Sequence, residues 1–199
     1  MTLQNSVNQL MINKCNKAIK KCHTYDEVKE KAPHSIPGIY CFFLTNDQFP
    51  FPSLEKFYDK RICNNFSQNR PIYLGISQDL LARDCKTHFN GRSSKPTLRR
   101  TLGAILMDKS ELDLSVQKSG KNKKFSHYSF DKDSEARLSE WMKKTLKFGY
   151  WENSDHSLNK ELEPLLIRRE KPLLNILFSP HIDAVPELRR LRKICAGLS

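Results

Sequence analysis

The chain has 199 residues, of which 38% are hydrophobic and 28% charged, and its net charge is +12. This length suits one domain with additions, and it is enough to bury a core without disulfides or metals. No run of about 18 apolar residues occurs, which excludes a membrane-spanning helix. The first residues lack the basic start and apolar block of a secretory signal, so we expect no such signal. The basic excess favours a polyanionic partner such as nucleic acid, although solubility alone could account for it.

The six cysteines are spread along the chain, at Cys15, Cys22, Cys41, Cys63, Cys85 and Cys195. They form no Cys-x-x-Cys pair and no tight cluster with histidine, so the spacing predicts neither a zinc site nor a disulfide framework. Several lie in apolar patterns, where a free cysteine behaves as a small hydrophobic residue. We therefore expect reduced thiols in a cytoplasmic protein.

The first 35 residues are predicted to form an N-terminal helical extension. Apolar residues recur at three- and four-residue steps between Val7 and Cys22, with lysines elsewhere, which is typical of an amphipathic helix with a basic outer side. Thr24 and Glu27 have the spacing of a capping box and predict a short second helix.

Two short strands are predicted next, at residues 36–44 and 71–75, with a helix at 78–89 directly behind the second. The connection at 45–70 is longer than a hairpin needs. It could shape a substrate groove, and it could equally be plain cover over the sheet.

The second half of the chain alternates helices and strands. The predicted elements are a helix after Ser94, a strand pair at 112–116 and 125–130, a helix at 136–146, a strand at 147–151, a helix from Asn159 and a last basic helix at 187–196. Together these elements predict an α/β (α+β) fold, in which a small, mainly antiparallel sheet is flanked by helices.

The two predicted strands carry related triplets, Gly38-Ile39-Tyr40 and Tyr73-Leu74-Gly75. A glycine lets another backbone or a phosphate approach closely, and a strand tyrosine presents a phenol on a rigid support. Arg83 and His88 follow in the next predicted helix. Two phenols, a guanidinium and an imidazole can therefore converge at one end of a small sheet.

These triplets resemble the signature of the GIY-YIG nuclease superfamily. A further stretch, residues 96–106 with the later segment 138–142, looks like one bacterial branch of uncharacterised members. The first triplet matches in full, and the second matches with one apolar exchange. A distant segment, from Glu163 through Pro172 to Asn175, also has the family's residues at the family's offsets. The resemblance spans residues 36 to 175. It implies a nuclease domain at 36–178, followed at 179–199 by a C-terminal basic helix packed on the domain.

The resemblance implies a divalent-metal-dependent endonuclease that hydrolyses phosphodiester bonds in DNA, with RNA left open. Glu163 would hold Mg²⁺ or Mn²⁺, and one carboxylate is chemically sufficient because Mg²⁺ keeps most of its waters. We assign Tyr40 to water activation and Tyr73 to positioning, with the exchanged assignment left open. Arg83 would bind a phosphate oxygen, and His88 would relay a proton or contact the phosphate.

Other residues are given supporting roles. Gly38, Gly75 and Asn175 would be structural at the site. Arg99 and Arg100 lie near the predicted N-terminal turn of a helix, where backbone amides also favour anions, and we expect these two arginines to contact nucleic acid.

Two departures from the family pattern concern local geometry. Family members place the histidine or tyrosine four residues after the arginine, whereas Arg83 and His88 are five apart. On a regular helix that spacing separates the side chains by about 140° rather than about 40°. A π-bulge would realign them, or Arg92, Arg99 or Arg100 would replace Arg83. The second departure is Pro164, which predicts either a kink after Glu163 or a helix that begins later than Asn159.

Two functions of other classes remain as alternatives. One is a catalytically silent nucleic-acid-binding module with the same fold. The presence of Tyr40, Tyr73 and Glu163 together argues against it, since packing alone does not need all three. The other is a small protein-interaction factor whose positive charge is incidental.

Overall fold

The computed structural model describes residues 3–30, 33–109, 111–117 and 128–198. Its elements in chain order are α1 (Leu3–Ile19), α2 (Tyr25–Glu30), β1 (Gly38–Leu44), a 3₁₀-helix (Pro52–Phe57), α3 (Lys60–Asn64), β2 (Tyr73–Ser77), a π-helix (Ala82–His88), α4 (Thr97–Asp108), β3 (Val116–Gln117), β4 (Ser129–Phe130), α5 (Lys132–Thr145), β5 (Leu146–Glu152), α6 (His156–Glu170) and α7 (Ala184–Cys195). Within those residues, none of the helices combines the length and apolar character needed to span a bilayer.

The centre of the fold is an antiparallel sheet with the strand order β2-β1-β5. All seven residues of β1 are buried, because both its edges are paired and both its faces are covered. In this register Tyr40 lies opposite Gly75 of β2 and Tyr150 of β5. The small, mainly antiparallel sheet predicted from the sequence is therefore confirmed.

Helices cover both faces of the sheet. Side chains alternate along a strand, so Tyr40 and Phe42 point to one face, which we call the tyrosine face, and Ile39 and Cys41 point to the opposite face. The opposite face packs on α1 and α6 through Ile12, Cys15, Ile19, Leu162, Leu166 and Ile167. The tyrosine face belongs to a larger core that includes α4, α5 and α7.

Side-chain caps decide where several helices begin. The predicted capping box is confirmed, because the Thr24 amide donates to Glu27 Oε2 at 2.7 Å and the Glu27 amide donates to Thr24 Oγ1 at 3.4 Å. Asp155 accepts from the Leu158 amide at 3.0 Å, so α6 begins at His156 rather than at the predicted Asn159. The predictions missed such starts because cap residues lie outside the apolar stripe that defines a helix.

The insertion at 45–70 contributes to the core of the tyrosine face. Its buried side chains there are Phe51, Leu54, Tyr58, Cys63 and Phe66. The Tyr58 hydroxyl also donates to the Leu173 carbonyl at 2.6 Å, which ties the insertion to the segment after α6. Of the two alternatives that the sequence left open, these contacts favour cover over the sheet.

A strand pair is present in the second half, since β3 pairs antiparallel with β4. It is shorter than predicted, because residues 112–115 are not in a strand, and residues 125–127 lie outside the described residues. The basic tip between these strands lies outside the described residues. Five cysteines, Cys15, Cys22, Cys41, Cys63 and Cys195, have described side chains, and all five are free thiols.

Asn175 completes the outer edge of β2. Its Oδ1 accepts from the Leu74 amide at 2.9 Å, and its Nδ2 donates to the Leu74 carbonyl at 2.8 Å. The neighbouring Leu174 amide donates to the Ile72 carbonyl at 2.8 Å. One side-chain amide thus replaces a strand along this edge, which would otherwise present unpaired backbone groups.

Replacing Asn175 by alanine should leave both backbone groups of Leu74 buried and unpaired. We expect Asn175→Ala to lower the free energy of unfolding by about 2–4 kcal/mol, measured by urea denaturation. The control is Asn65→Ala, since the exposed Asn65 also bonds a backbone carbonyl, at 2.9 Å, and its loss should cost less than about 1 kcal/mol. Equal losses in the two variants would show that the Leu74 contacts do not support the fold.

Candidate active site

Tyr40 and Tyr73 lie on the same face of adjacent strands, with ring centroids 6.3 Å apart. The Tyr40 ring crosses over Gly75, because a Cβ atom at that glycine would be 2.7 Å from the Tyr40 hydroxyl oxygen. At Gly38 a Cβ atom would be 2.4 Å from the carbonyl oxygen of Trp151. Both signature glycines therefore permit close approach, one by a side chain and one by a neighbouring strand.

His88, at the end of the π-helix, completes a compact group with the two tyrosines. Its Nε2 lies 3.0 Å from the Tyr40 hydroxyl oxygen. Both residues are buried, with 0% of His88 and 1% of Tyr40 exposed. The Tyr73 ring lies 6.4 Å from the His88 ring. The structure thus brings together three residues that the sequence analysis assigned to catalysis.

The two phenols differ in their access to solvent. Tyr40, which we had assigned to water activation, is almost completely buried, whereas Tyr73 is only partly buried. A group that accepts a proton from an attacking water must reach that water. The burial therefore favours the exchanged assignment, with Tyr73 facing the substrate and Tyr40 behind it.

The segment that carries Arg83 and His88 is a π-helix, with backbone bonds between residues five apart. Residues at that spacing lie one turn apart, so the unusual separation of Arg83 and His88 matches the local backbone. The Arg83 side chain itself lies outside the described part of the chain. Thr87 Oγ1 donates to the Ala82 carbonyl at 2.9 Å, a contact that spans the same five residues.

Arg99 holds the C-terminal end of this π-helix. Its Nη1 donates to the His88 carbonyl at 2.8 Å, and its Nη2 pairs with Glu135 Oε2 at 2.8 Å. The side chain is 0% exposed. This placement corrects the expectation that Arg99 contacts nucleic acid. The sequence could not reveal it, because the buried partner Glu135 lies 36 residues away.

Arg99→Met should unpair the Glu135 carboxylate and release the carbonyl of His88. We expect a loss of about 3–5 kcal/mol of stability, measured by chemical denaturation, since one partner of a buried ion pair is removed. The control is Arg92→Met, because Arg92 is exposed in the loop before α4 and should lose less than about 0.5 kcal/mol. If Arg99→Met keeps the stability of the parent but binds DNA more weakly, Arg99 contacts nucleic acid as the sequence predicted.

Arg100 is also buried, with 5% exposed, so it does not lie on the open surface, and its contact with nucleic acid stays a prediction. Burial lowers the pKa of its guanidinium, as does the nearby charge of Arg192, while Tyr73 raises it. The pKa of Arg192, in α7, is likewise lowered by burial and raised by Tyr73. Sequence analysis missed Arg192, whose only signal was its place in a basic C-terminal helix.

Glu163 lies on α6, which packs on the face opposite the tyrosines. Burial raises the pKa of its carboxyl group. Within the described residues, no hydrogen bond or ion pair involves this carboxylate. Helix α6 continues through Pro164, so the alternative of a helix that begins after Asn159 is wrong.

An unpaired, partly buried carboxylate suits a single hydrated cation. The described residues contain no group of three or more His, Cys, Asp or Glu side chains that could hold a metal ion. Zinc sites need such a group, whereas Mg²⁺ takes one or two carboxylates and completes its shell with water and substrate oxygens. The single carboxylate of Glu163 therefore fits Mg²⁺ or Mn²⁺.

A phenol–imidazole pair beside a second, accessible phenol defines a site suited to proton transfer. The sequence profile described as the GIY-YIG catalytic domain matches residues 38–194, a range that includes most of α7. The chain belongs to this family. Proteins with this domain are generally endonucleases acting on nucleic acid, and they typically use divalent metals. Comparisons with curated proteins and with solved structures give no significant match.

Proposed function

We propose that this protein is a Mg²⁺-dependent endonuclease that hydrolyses phosphodiester bonds in DNA. The observation that carries the proposal is the buried hydrogen bond between Tyr40 and His88 beside the partly exposed Tyr73. A hydroxyl–imidazole pair without a catalytic task is a costly choice for the interior of a sheet, where apolar side chains pack equally well. Family membership supports the nuclease class.

In this mechanism Tyr73 acts as the phenolate, and its oxygen takes the proton of the attacking water. The water oxygen forms a bond to phosphorus, one phosphorus–oxygen ester bond breaks, and the leaving oxygen takes a proton from solvent. Tyr40 and His88 lie behind Tyr73, where they orient its ring and relay the proton. A phenol is a weak base near neutral pH, so a positive field is required around it. Arg100 and Arg192 supply such a field, since both interact electrostatically with Tyr73.

The metal belongs at Glu163. When bound there, Mg²⁺ would stabilise the negative charge that develops on the phosphate oxygens. Glu163 is partly buried and has no charged or hydrogen-bonding partner in the part of the chain that the structure describes. This supports the assignment, because a cation would offset the cost of burying an ionised carboxylate. The net charge of +12 favours DNA as the polyanion, and the free thiols favour a cytoplasmic site of action.

Cleavage of supercoiled plasmid in Mg²⁺, and its loss in EDTA, tests the proposal directly. Tyr73→Phe removes only one hydroxyl group, and we expect it to lower the cleavage rate about 10²- to 10⁴-fold, the range for loss of a general base. The matched control is Tyr25→Phe, since Tyr25 is partly buried against Phe89 and should be dispensable.

Two results would contradict this account. If Tyr73→Phe cleaves like Tyr25→Phe, the water is activated elsewhere. If the parent protein cleaves neither DNA nor RNA in any divalent metal but binds them, the catalytically silent module becomes the better account.

Glu163→Gln separates metal binding from DNA binding. Loss of the charged ligand should lower cleavage by about 10²-fold or more, as expected when electrostatic stabilisation of a transition state is removed. DNA affinity, measured by fluorescence anisotropy, should stay the same or rise because a negative charge near the phosphate is gone. Glu161→Gln is the control, since Glu161 is exposed on the same helix and should behave like the parent.

The melting temperature of Glu163→Gln relative to the parent should depend on pH. Because burial raises the folded-state pKa of Glu163, the stability that this group contributes is present at low pH and is lost as pH rises through that pKa. In EDTA at pH 8, Glu163→Gln should therefore melt at or above the temperature of the parent, and the difference should vanish below about pH 4. Mg²⁺ should stabilise the parent alone. Stabilisation of both proteins by Mg²⁺ would place the metal elsewhere.

A further inference from the structure

Two neighbouring arginines on α4 have different environments. Arg99 pairs with Glu135 and donates to the His88 carbonyl, and only its Nε atom has no partner among the described residues. Arg100 is buried to a similar degree, yet within the same part of the chain both its Nε and Nη1 atoms have no hydrogen-bond partner. Arg100 therefore lacks the compensation that a buried guanidinium normally requires.

Arg192 on α7 has the same deficit. It is 8% exposed, and its Nε atom also has no hydrogen-bond partner. Helices α4 and α7 pack against each other, and the charges of Arg100 and Arg192 are close enough to repel. Within the described residues, no carboxylate forms an ion pair with either guanidinium. Two positive charges are thus buried together without an anion.

Tyr128 contacts both helices that carry Arg100 and Arg192. Its hydroxyl donates to the backbone carbonyl of Arg100 and shares a hydrogen bond with the thiol of Cys195 on α7. Tyr128 is 3% exposed. The other phenol that interacts with both arginines is the partly buried Tyr73. Tyr73 is the more exposed of these two phenols, and it is the tyrosine that we assign to water activation.

We propose that Arg100 and Arg192 together bind one phosphate group of the nucleic acid beside Tyr73, so that helix α7 completes the substrate site. This inference rests on the proposed function. Guanidinium groups match the geometry of phosphate oxygens and form charge-assisted bonds with them. A phosphodiester supplies the negative charge that this pair lacks among the described residues. Neither arginine lies in the triplets or in the Glu163–Asn175 segment, so α7 contributes to the site from outside the motifs.

The first test measures binding of a fluorescein-labelled 20-base-pair DNA duplex in EDTA, with the full-length protein. Arg192→Met should raise the dissociation constant about 10- to 100-fold, the loss expected for hydrogen bonds to a charged group. Lys193→Met is the matched control, because the exposed Lys193 lies on the same helix and loses the same charge. Equal affinities for the two variants would overturn the proposal.

The second test is thermal unfolding with and without inorganic phosphate. Without phosphate, Arg192→Met should melt at or above the parental temperature, because an uncompensated buried charge has been replaced by an apolar side chain. Phosphate should stabilise the parent and Lys193→Met but not Arg192→Met. A purely structural arginine would give the reverse, with a less stable variant and no dependence on phosphate.

The outcomes separate this inference from the proposed function. Parental cleavage of plasmid together with unchanged duplex affinity in Arg192→Met overturns the phosphate site alone. Duplex binding that depends on Arg192, in a protein that never cleaves, overturns the nuclease and supports the site. Stabilisation by inorganic phosphate without any effect on duplex affinity overturns the assignment to substrate. Should Arg192→Met fail to fold, Arg192→Lys keeps the charge and removes the planar fork, and its duplex affinity should fall about tenfold.

Discussion

The register between β1 and β2 is the constraint on which the site depends. It places the Tyr40 ring over Gly75 and beside Tyr73, on the face of the sheet where His88 contacts the Tyr40 hydroxyl. A slip by one residue would turn Tyr40 to the opposite face, against α1 and α6. Two features oppose such a slip. On one side β1 pairs along its whole length with β5, and on the other side Asn175 fixes β2 through the backbone of Leu74.

Much of this arrangement could be predicted, because it is encoded locally. Alternating apolar residues identify the strands, and a glycine beside a strand tyrosine indicates a close approach. The Arg83–His88 spacing even predicted a π-bulge as one solution, and the structure has a π-helix over Ala82–His88. The reason for that helix was not predictable. Its last carbonyls are bonded by Arg99, which in turn depends on Glu135 in α5.

The adjacent residues Arg99 and Arg100 show why burial of charge defeats sequence analysis. Both were predicted to contact nucleic acid, because they lie near a helix N-terminus, where backbone amides also favour anions. Both side chains are buried. Arg99 pairs with the carboxylate of Glu135, whereas Arg100 forms no ion pair with a carboxylate of the described residues. What distinguishes them is the identity of residues on α5 and α7, far along the chain. A sequence pattern reports periodicity along one helix, whereas the role of a buried arginine is set by the helices that pack on it.

In the proposed mechanism, groups on two faces of one sheet serve one reaction, and the outer edge of β2 lies between those faces. Tyr73 points to the tyrosine face, and Glu163 belongs to the helix on the opposite face. Groups so divided can approach a common phosphate only around an edge of the sheet, and β2 is the edge strand in contact with α6. A fourth strand there would widen the barrier between them by about 4.8 Å. Asn175 instead bonds the backbone amide and carbonyl of Leu74 with a single side-chain amide. The backbone groups of the edge are therefore paired without an additional strand. An asparagine at this position therefore keeps the sheet one strand narrower than a fourth strand would.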